Sequence, residues 1–304
     1  MSKPYIYVME NRLLGGSALS VSAIGFGCMS LDPSDPALAA TLINQALDAG
    51  INYFDTADLY NKGANEELIG AVLKPFRQQV VIATKVGNEW RSDGSGWDWN
   101  PRKDYILKAV DNSLRRLQTD YIDLYQLHGG TIDDPIDEVI EAFERLVEQG
   151  KIRYYGLSSI RPNVIRAFAD RSRIVSVMLQ YSLLDRRPEE ELLFYLRERN
   201  IGVLSRGGLA QGLLIDKPAR DYLGYREEEV RQLQKALQEQ TEGHVLPLAI
   251  YYVLENAAIT GMVTGFRTVQ QLTDVLEAYR LGPGAVRWEE VRKLAEPQTY
   301  PSHR

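Results

Sequence analysis

One pattern limits what this chain can fold into more than any other. Short apolar runs recur at residues 23–25, 51–54, 80–83, 122–127, 154–157, 175–179, 202–204 and 259–263, and each is followed by a stretch with helical period. The helical stretches are 36–49, 65–73, 102–117, 135–148, 162–170, 189–198, a long one within 227–256, and 269–278. Strands that read as nearly continuous apolar runs are covered on both faces, as in a parallel sheet, and parallel neighbours need a crossover that is usually a helix. Several run starts lie roughly 30 residues apart, the size of one strand–helix–strand unit. Eight such units predict an α/β fold closed into a (β/α)8 TIM barrel. The 304 residues suit one barrel of roughly 250 residues with appendages, and no linker or composition break divides them, so residues 1–304 read as a single domain.

Local signals support the boundaries. Asp35-Pro36 and Asp134-Pro135 mark helix starts, and Gly50 and Gly150 mark helix ends. Residues 5–21, with Gly15-Gly16 between short strand-like runs, read as a β-hairpin that caps the barrel's bottom. Two connections are overlong, 86–101 after the third run and 206–226 after the seventh. In a barrel, loops that follow strands lie on the active face, the C-terminal one.

Composition excludes several function classes. Hydrophobic residues at 44% and charged ones at 25% match a globular chain and remove disordered and fibrous classes. A net charge of −6 with no basic face argues against a nucleic-acid or anionic-membrane partner. Cys28 stands alone, which forbids an internal disulfide, and three histidines leave too few soft ligands for a metal site. The opening residues lack a signal-peptide pattern and no apolar run approaches 18 residues, so a cytoplasmic location is expected, with no membrane span. No large apolar patch is evident, which predicts a monomer or weak oligomer.

The polar residues at the run ends suggest chemistry. Asp55 and Tyr60 follow the second run, Lys85 the third and His128 the fourth. In a barrel they face one mouth, which gathers residues from different strand ends. A tyrosine titrates too high to donate a proton readily near neutrality, but a nearby lysine ammonium favours the phenolate, and an aspartate would hold that lysine charged. A neutral imidazole could orient a carbonyl oxygen. Such a set delivers a proton to an oxygen that becomes an alkoxide. None of these groups supplies hydride, so reduction needs a cofactor. Gly25-Phe-Gly27-Cys-Met-Ser30 is a near miss for a dinucleotide fingerprint, but Leu31-Asp32-Pro33 follows it where a helix should open. Thr264-Gly265-Phe266-Arg267-Thr268 does open a helix, and reads either as a phosphate site or as an ordinary cap.

These residues resemble the aldo-keto reductases. The carriers of the resemblance are Asn52-Tyr-Phe-Asp55-Thr-Ala-Asp-Leu-Tyr60 with Gly63-Ala-Asn-Glu-Glu-Leu-Ile-Gly70, then Ala83-Thr-Lys85 and Asp123-Leu-Tyr-Gln-Leu-His128. Gly150-Lys-Ile-Arg-Tyr-Tyr-Gly156-Leu-Ser158, Gln180-Tyr181-Ser182-Leu and Gly208-Leu-Ala-Gln-Gly212-Leu-Leu continue it in order along nearly the whole chain. The resemblance implies Tyr60 as proton donor, Lys85 and Asp55 as its tuning pair, and His128 as carbonyl orienter. It implies NADPH laid across the mouth, with its nicotinamide amide held by Ser158 and Gln180. Gly27, Cys28, Met29, Asp55, Ser159, Ser205, Arg206, Gly207, Leu209 and Gln211 are further implied contacts, with Gly265, Arg267 and Gln271 placed for the 2′-phosphate. Histidine at 128, where steroid double-bond reducers of the family carry glutamate, implies reduction of a carbonyl.

The chain departs from the family pattern at three positions. Ser159 replaces an asparagine, Arg206 replaces an aromatic that stacks on the nicotinamide, and Val275 replaces an asparagine near adenine. Arg206 can stack through its guanidinium plane or reach a phosphate. Cys28 and Met29 can touch the cofactor through backbone or serve as buried soft hydrophobes. Trp90, Trp97 and Trp99 either line an apolar substrate pocket or pin a long loop to the rim. His244 and His303 read as solvated. The expected activity is hydride transfer from NADPH to a small aldehyde or ketone. The alternatives are a nucleotide-binding redox sensor or regulatory subunit with slow turnover, and a phosphate-binding isomerase or aldolase using Lys85 as a Schiff base.

Overall fold

A computed structural model describes residues 8–304 of the chain. It opens with β1 (Asn11–Leu13) and β2 (Ser20–Ser22), an antiparallel pair, followed by β3 (Ile24–Gly27), α1 (Pro36–Asp48), β4 (Tyr53–Asp55), α2 (Ala64–Leu73) and β5 (Val81–Val86). A second antiparallel pair, β6 (Asn88–Trp90) and β7 (Trp97–Trp99), precedes α3 (Lys103–Leu117), β8 (Ile122–His128), α4 (Ile136–Glu148), β9 (Ile152–Ser158), α5 (Pro162–Arg171) and β10 (Ser176–Gln180). The chain ends through α6 (Leu192–Glu198), β11 (Gly202–Arg206), α7 (Glu227–Gln240), α8 (Val245–Leu254), β12 (Ile259–Thr264), α9 (Val269–Leu281) and α10 (Trp288–Lys293).

Strands β3, β4, β5, β8, β9, β10, β11 and β12 close into a parallel barrel in that order. Each overlaps one of the apolar runs, and the expected (β/α)8 architecture is the observed one. The barrel interior is filled by Tyr53, Val81, Ala83, Leu124, Met178, Leu204 and Val263, joined from below by Leu14, Leu19 and Val21. Those last three come from the β1–β2 hairpin, so the hairpin plugs the bottom as its sequence predicted; Tyr5 to Tyr7 of that expected span lie outside the described residues. Its turn sits so close to the starts of β10 and β11 that a Cβ on Gly15 would lie 2.4 Å from the Val175 carbonyl oxygen and 2.6 Å from the Gly202 nitrogen.

Three local expectations change. The 227–256 stretch is two helices, because Glu242 and Gly243 turn left-handed at φ +50° and +89° between α7 and α8. Asp134 does not cap α4. Its carboxylate instead accepts the Thr131 amide (2.6 Å), the Thr131 hydroxyl (2.9 Å) and the Trp99 indole N–H (3.0 Å). Asp35 does cap α1, accepting from the Leu38 amide at 3.0 Å. The overlong 86–101 connection is the β6–β7 hairpin rather than irregular loop. No helix among the described residues is long and apolar enough to cross a membrane.

Candidate active site

The barrel's register gathers the run-end residues. Gly27 pairs with Asp55 across β3 and β4, Lys85 with Gln126 across β5 and β8, His128 with Ser158 across β8 and β9, and Gln180 with Arg206 across β10 and β11. All these residues therefore stand at the strands' C-terminal ends, where a cleft of about 940 Å³ opens. Asp55, Tyr60, Lys85 and His128 all line it.

At its floor the buried Lys85 ammonium is ion-paired to the equally buried Asp55. Lys85 also donates to the Thr56 carbonyl at 2.7 Å and to the Tyr60 hydroxyl at 3.4 Å. Burial alone pushes a lysine down, but the Asp55 charge and the contacts to Asp55 and Tyr60 outweigh it, and Lys85 is held charged, with its pKa raised. Gln126 donates to the other Asp55 oxygen at 3.3 Å. The His128 ring meets Tyr60 edge-on, with centroids 5.9 Å apart. Burial first, then the charges of Lys85 and Arg206, lower its pKa to about 3, so the imidazole is neutral at physiological pH.

Tyr60 reaches this position through an unusual backbone. Asn61, Lys62 and Gly63 follow it at φ +49°, +56° and +90°. At Gly63 a Cβ would lie 2.8 Å from the Arg116 side chain, so the turn needs glycine for space as well as for conformation. Just after this turn the buried Asn65 of α2 accepts from the Thr56 hydroxyl (2.6 Å) and donates to the Cys28 carbonyl (2.9 Å), tying α2 to the segments that follow β4 and β3.

The remaining expected contacts divide into two groups. Gly27, Met29, Ser158, Ser159, Arg206, Gly207, Gln211 and Gly265 line the cleft. Gln180, Ser205, Cys28, Leu209, Arg267 and Gln271 are not on its wall. Gln180 is occupied by the Tyr222 hydroxyl and Arg206, and Ser205 is fully buried, donating to the Tyr181 carbonyl. Cys28 is fully buried with its thiol pKa raised by burial, which fits the soft hydrophobe reading. Arg267 and Gln271 are exposed at the start of α9, where the Thr268 side chain caps the helix.

The tryptophans are not on the cleft wall either. Trp90 donates its indole N–H to the Leu59 carbonyl at 3.2 Å, Trp99 donates to Asp134, and Trp97 is 47% exposed. An indole N–H needs a partner when buried, and the rim carbonyl and carboxylate supply one, so two of the rings pin the hairpin to the rim.

The family model for the aldo/keto reductase family matches residues 23–295. An uncharacterized oxidoreductase of Bacillus subtilis, YqkF, is 47% identical over 280 residues, covering 89% of this chain and 91% of that one. The holo form of aldo-keto reductase AKR11C1 from Bacillus halodurans superposes with a TM-score of 0.92 at 49% identity, over 97% of this chain and 99% of that one. The chain belongs to the aldo/keto reductase family. An aldo-keto reductase named for NADP(+) from Schizosaccharomyces pombe is 39% identical over 204 residues, 64% of this chain and 60% of that one. Membership makes this chain an oxidoreductase acting on small molecules.

The cleft wall also includes residues that the sequence did not disclose. Arg161, Arg187 and a C-terminal segment comprising Tyr300, Pro301, Ser302 and His303 line the cleft. His303 is thus a wall residue rather than a merely solvated one; its carbonyl accepts from the Asn163 amide at 2.8 Å. The segment is fastened by the Arg304–Glu190 ion pair and by the Arg187 guanidinium, 5.2 Å from the Tyr300 ring centre. Gln126 was within reach of sequence reasoning, since it lies two residues before His128 on one strand and therefore shares its face.

Proposed function

We propose that the chain reduces an aldehyde or ketone with NADPH, with Tyr60 as the proton donor. The observation that carries this reading is the Lys85 ammonium, held by Asp55 and standing 3.4 Å from the Tyr60 hydroxyl inside the cleft. As a proton leaves the phenol, that fixed charge, on a side chain 1% exposed, stabilises the phenolate left behind. The same ion pair disfavours the Schiff-base alternative, which needs a neutral amine.

His128 orients the substrate. Its Nδ1 is buried without a hydrogen-bond partner, so placing the proton on Nε2 avoids an orphaned buried N–H. A neutral imidazole then donates Nε2–H to the carbonyl oxygen beside Tyr60.

The residues present fit a nicotinamide cofactor. The cleft volume lies within the range of cofactor sites, roughly 300–1,000 Å³, and its wall offers the Ser158 and Ser159 hydroxyls together with the glycine backbone at 27, 207 and 265. Family membership and the NADP(+) named for the Schizosaccharomyces pombe relative support NADPH. The cofactor, when bound, supplies the hydride. Ser158 and Ser159 would hold its amide, Gly207 and Gln211 its phosphates, and Arg267 with Gln271 its 2′-phosphate at the helix start.

The test is loss of NADPH absorbance over a panel of aldehydes and ketones, repeated with Tyr60→Phe. Wild type turns over. The variant loses about 10²–10⁴ in kcat, the range for a general acid, while its nucleotide affinity stays within a factor of a few. Tight nucleotide binding with no turnover of any carbonyl would favour the redox-sensor alternative.

A further inference from the structure

Beneath the cleft floor lies a polar side chain that neither reaches the cleft nor belongs to the apolar interior. Leu124, Gln126 and His128 share the inward face of β8. Leu124 packs in the barrel interior and His128 lines the cleft, so Gln126 forms the layer between them, fully buried and off the cleft wall. A ligand in the cleft therefore does not account for its amide. Among the described residues that amide makes one hydrogen bond, from Nε2 to Asp55 Oδ2 at 3.3 Å, and its Oε1 is buried without a partner. Charge fixes which end is which, because an amide oxygen turned toward the carboxylate would be repelled. A buried acceptor without a partner costs about 1–3 kcal/mol, and an apolar side chain of the same length would avoid that cost. Glutamine is thus a poor choice here for stability and a specific one for Asp55.

Asp55 is held from two strands besides its own. Its Oδ1 takes the Lys85 ammonium of β5, and its Oδ2 meets the Gln126 amide of β8 and, at 3.5 Å, the Tyr53 hydroxyl of β4. Lys85 and Gln126 are register partners, so the two donors approach the carboxylate from adjacent positions. The Cys28 thiol after β3 is near enough to feel the Asp55 charge, and Tyr60 lies beyond Lys85. Burial pushes the Asp55 carboxyl up, while Lys85, then Gln126 and Tyr53, pull it back toward the ionised form. Without the amide, the weaker Tyr53 contact alone would hold Oδ2.

We propose that Gln126 is a positioning residue for proton transfer: its amide fixes the second oxygen of Asp55, so that the carboxylate keeps Lys85 aimed at the Tyr60 hydroxyl. The inference rests on the reductase reading of the site. Gln126 touches no reacting atom and acts through Asp55 and Lys85.

The experiment compares kcat for one aldehyde in wild type, Gln126→Met and Gln126→Glu from pH 5 to pH 8, beside thermal melts. Gln126→Met keeps the length and removes the donor. Its kcat should fall by about tenfold, the worth of a hydrogen bond to a charged group, with Tm at or above that of wild type. In Gln126→Glu the introduced carboxyl can donate to Asp55 when protonated and repels it when ionised. Its kcat should therefore recover toward wild type at the acid end, a recovery that Gln126→Met does not show. A side chain that merely fills space would give both variants the same profile. A kcat for Gln126→Met equal to wild type overturns the proposal, and so does a Gln126→Glu profile that parallels that of Gln126→Met. If wild type reduces no carbonyl, the reductase reading fails instead, and carbon-13 NMR of the Asp55 carboxyl, assigned by its loss in Asp55→Asn, decides the positioning role without turnover. That carboxyl should take up its proton at higher pH in Gln126→Met than in wild type, and a resonance unchanged between the two overturns the proposal.

Discussion

The indole N–H of Trp90 donates to the carbonyl oxygen of Leu59 at 3.2 Å, one residue before Tyr60. The β6–β7 hairpin is thereby tied to the segment that presents the phenol. Lys62 adds two more ties, donating to the Gly94 carbonyl at 3.2 Å and placing its ammonium 5.1 Å from the Trp90 ring centre. Left-handed backbone costs about 1–2 kcal/mol per non-glycine residue, and Asn61 and Lys62 both adopt it. These hairpin contacts offset that cost. Asn88, at the hairpin's start, also donates to the His128 carbonyl at 3.2 Å, so one hairpin steadies both sides of the site.

Trp90→Phe keeps the ring and removes the donor. We expect kcat for a good carbonyl substrate to fall by about tenfold, because sub-ångström placement governs proton transfer, while Tm drops by a few degrees at most. Steady-state kinetics beside a thermal melt separate the two effects. A kcat equal to wild type would show that the hairpin does not position Tyr60.

Asp55→Asn should be among the costlier single changes in the barrel. It leaves the Lys85 ammonium, 1% exposed at its side chain, without a carboxylate. Breaking one partner of a buried pair costs about 3–5 kcal/mol, and the loss should appear as a lower urea midpoint. Adding Lys85→Met to Asp55→Asn removes the stranded charge, so the double variant should be more stable than Asp55→Asn alone. If the double variant is the weaker, the pair is not what the floor of the cleft depends on.

Much of this arrangement was legible before any coordinates. The barrel strands are buried on both faces, so each wrote itself into the sequence as an apolar run, and Asp55, Lys85 and His128 broke those runs at one end. The β6–β7 hairpin had no such trace. Residues 88–90 and 97–99 pair Trp90 with Trp97 over a turn of Arg, Ser, Asp and Gly, which shows neither a period of two nor a buried face. The wall at Tyr300–His303 was hidden for a different reason, since its docking depends on Arg304 meeting Glu190, 114 residues away. Tryptophan crowding pointed to a pocket because an indole can line one, but two of these rings spend their N–H groups on the rim.

His128 should not titrate across the physiological range. Its pKa of about 3 in the folded protein lies below the ordinary histidine value near 6.5. Between those two values the unfolded chain binds the extra proton and the native one does not. The stability from keeping the ring neutral is present above pH 6.5 and is lost as pH falls toward 3. Ring resonances followed by NMR from pH 5 to 8 should show a flat His128. His128→Gln should flatten the acid side of the stability profile, and a His128 resonance moving near pH 6 would contradict both expectations.

Asp58 is the counterpart on the alkaline side. It lies two residues before Tyr60, 8% exposed, with Oδ1 buried and without a hydrogen-bond partner and Oδ2 3.5 Å from the Tyr105 hydroxyl. The neighbouring Glu66 already takes the Arg116 charge at 2.5 Å and the Thr84 hydroxyl at 2.5 Å. Burial first, then the Glu66 charge, push Asp58 well above the usual carboxylate range, against the opposing pull of Arg116. The folded protein therefore keeps this proton to higher pH than the unfolded chain, and the native state loses stability as pH rises above the ordinary carboxyl value near 4. Asp58→Asn has nearly the same shape and no charge to bury. It should be more stable than wild type at pH 8, by about 1–3 kcal/mol, the range for a buried polar group left without partners. Urea titrations at pH 4 and pH 8 check this, with the gap expected to narrow at the lower pH, where wild-type Asp58 is protonated in the folded state and about half protonated in the unfolded chain. An Asn variant less stable at both pH values would mean that the ionised carboxylate is the form this pocket holds.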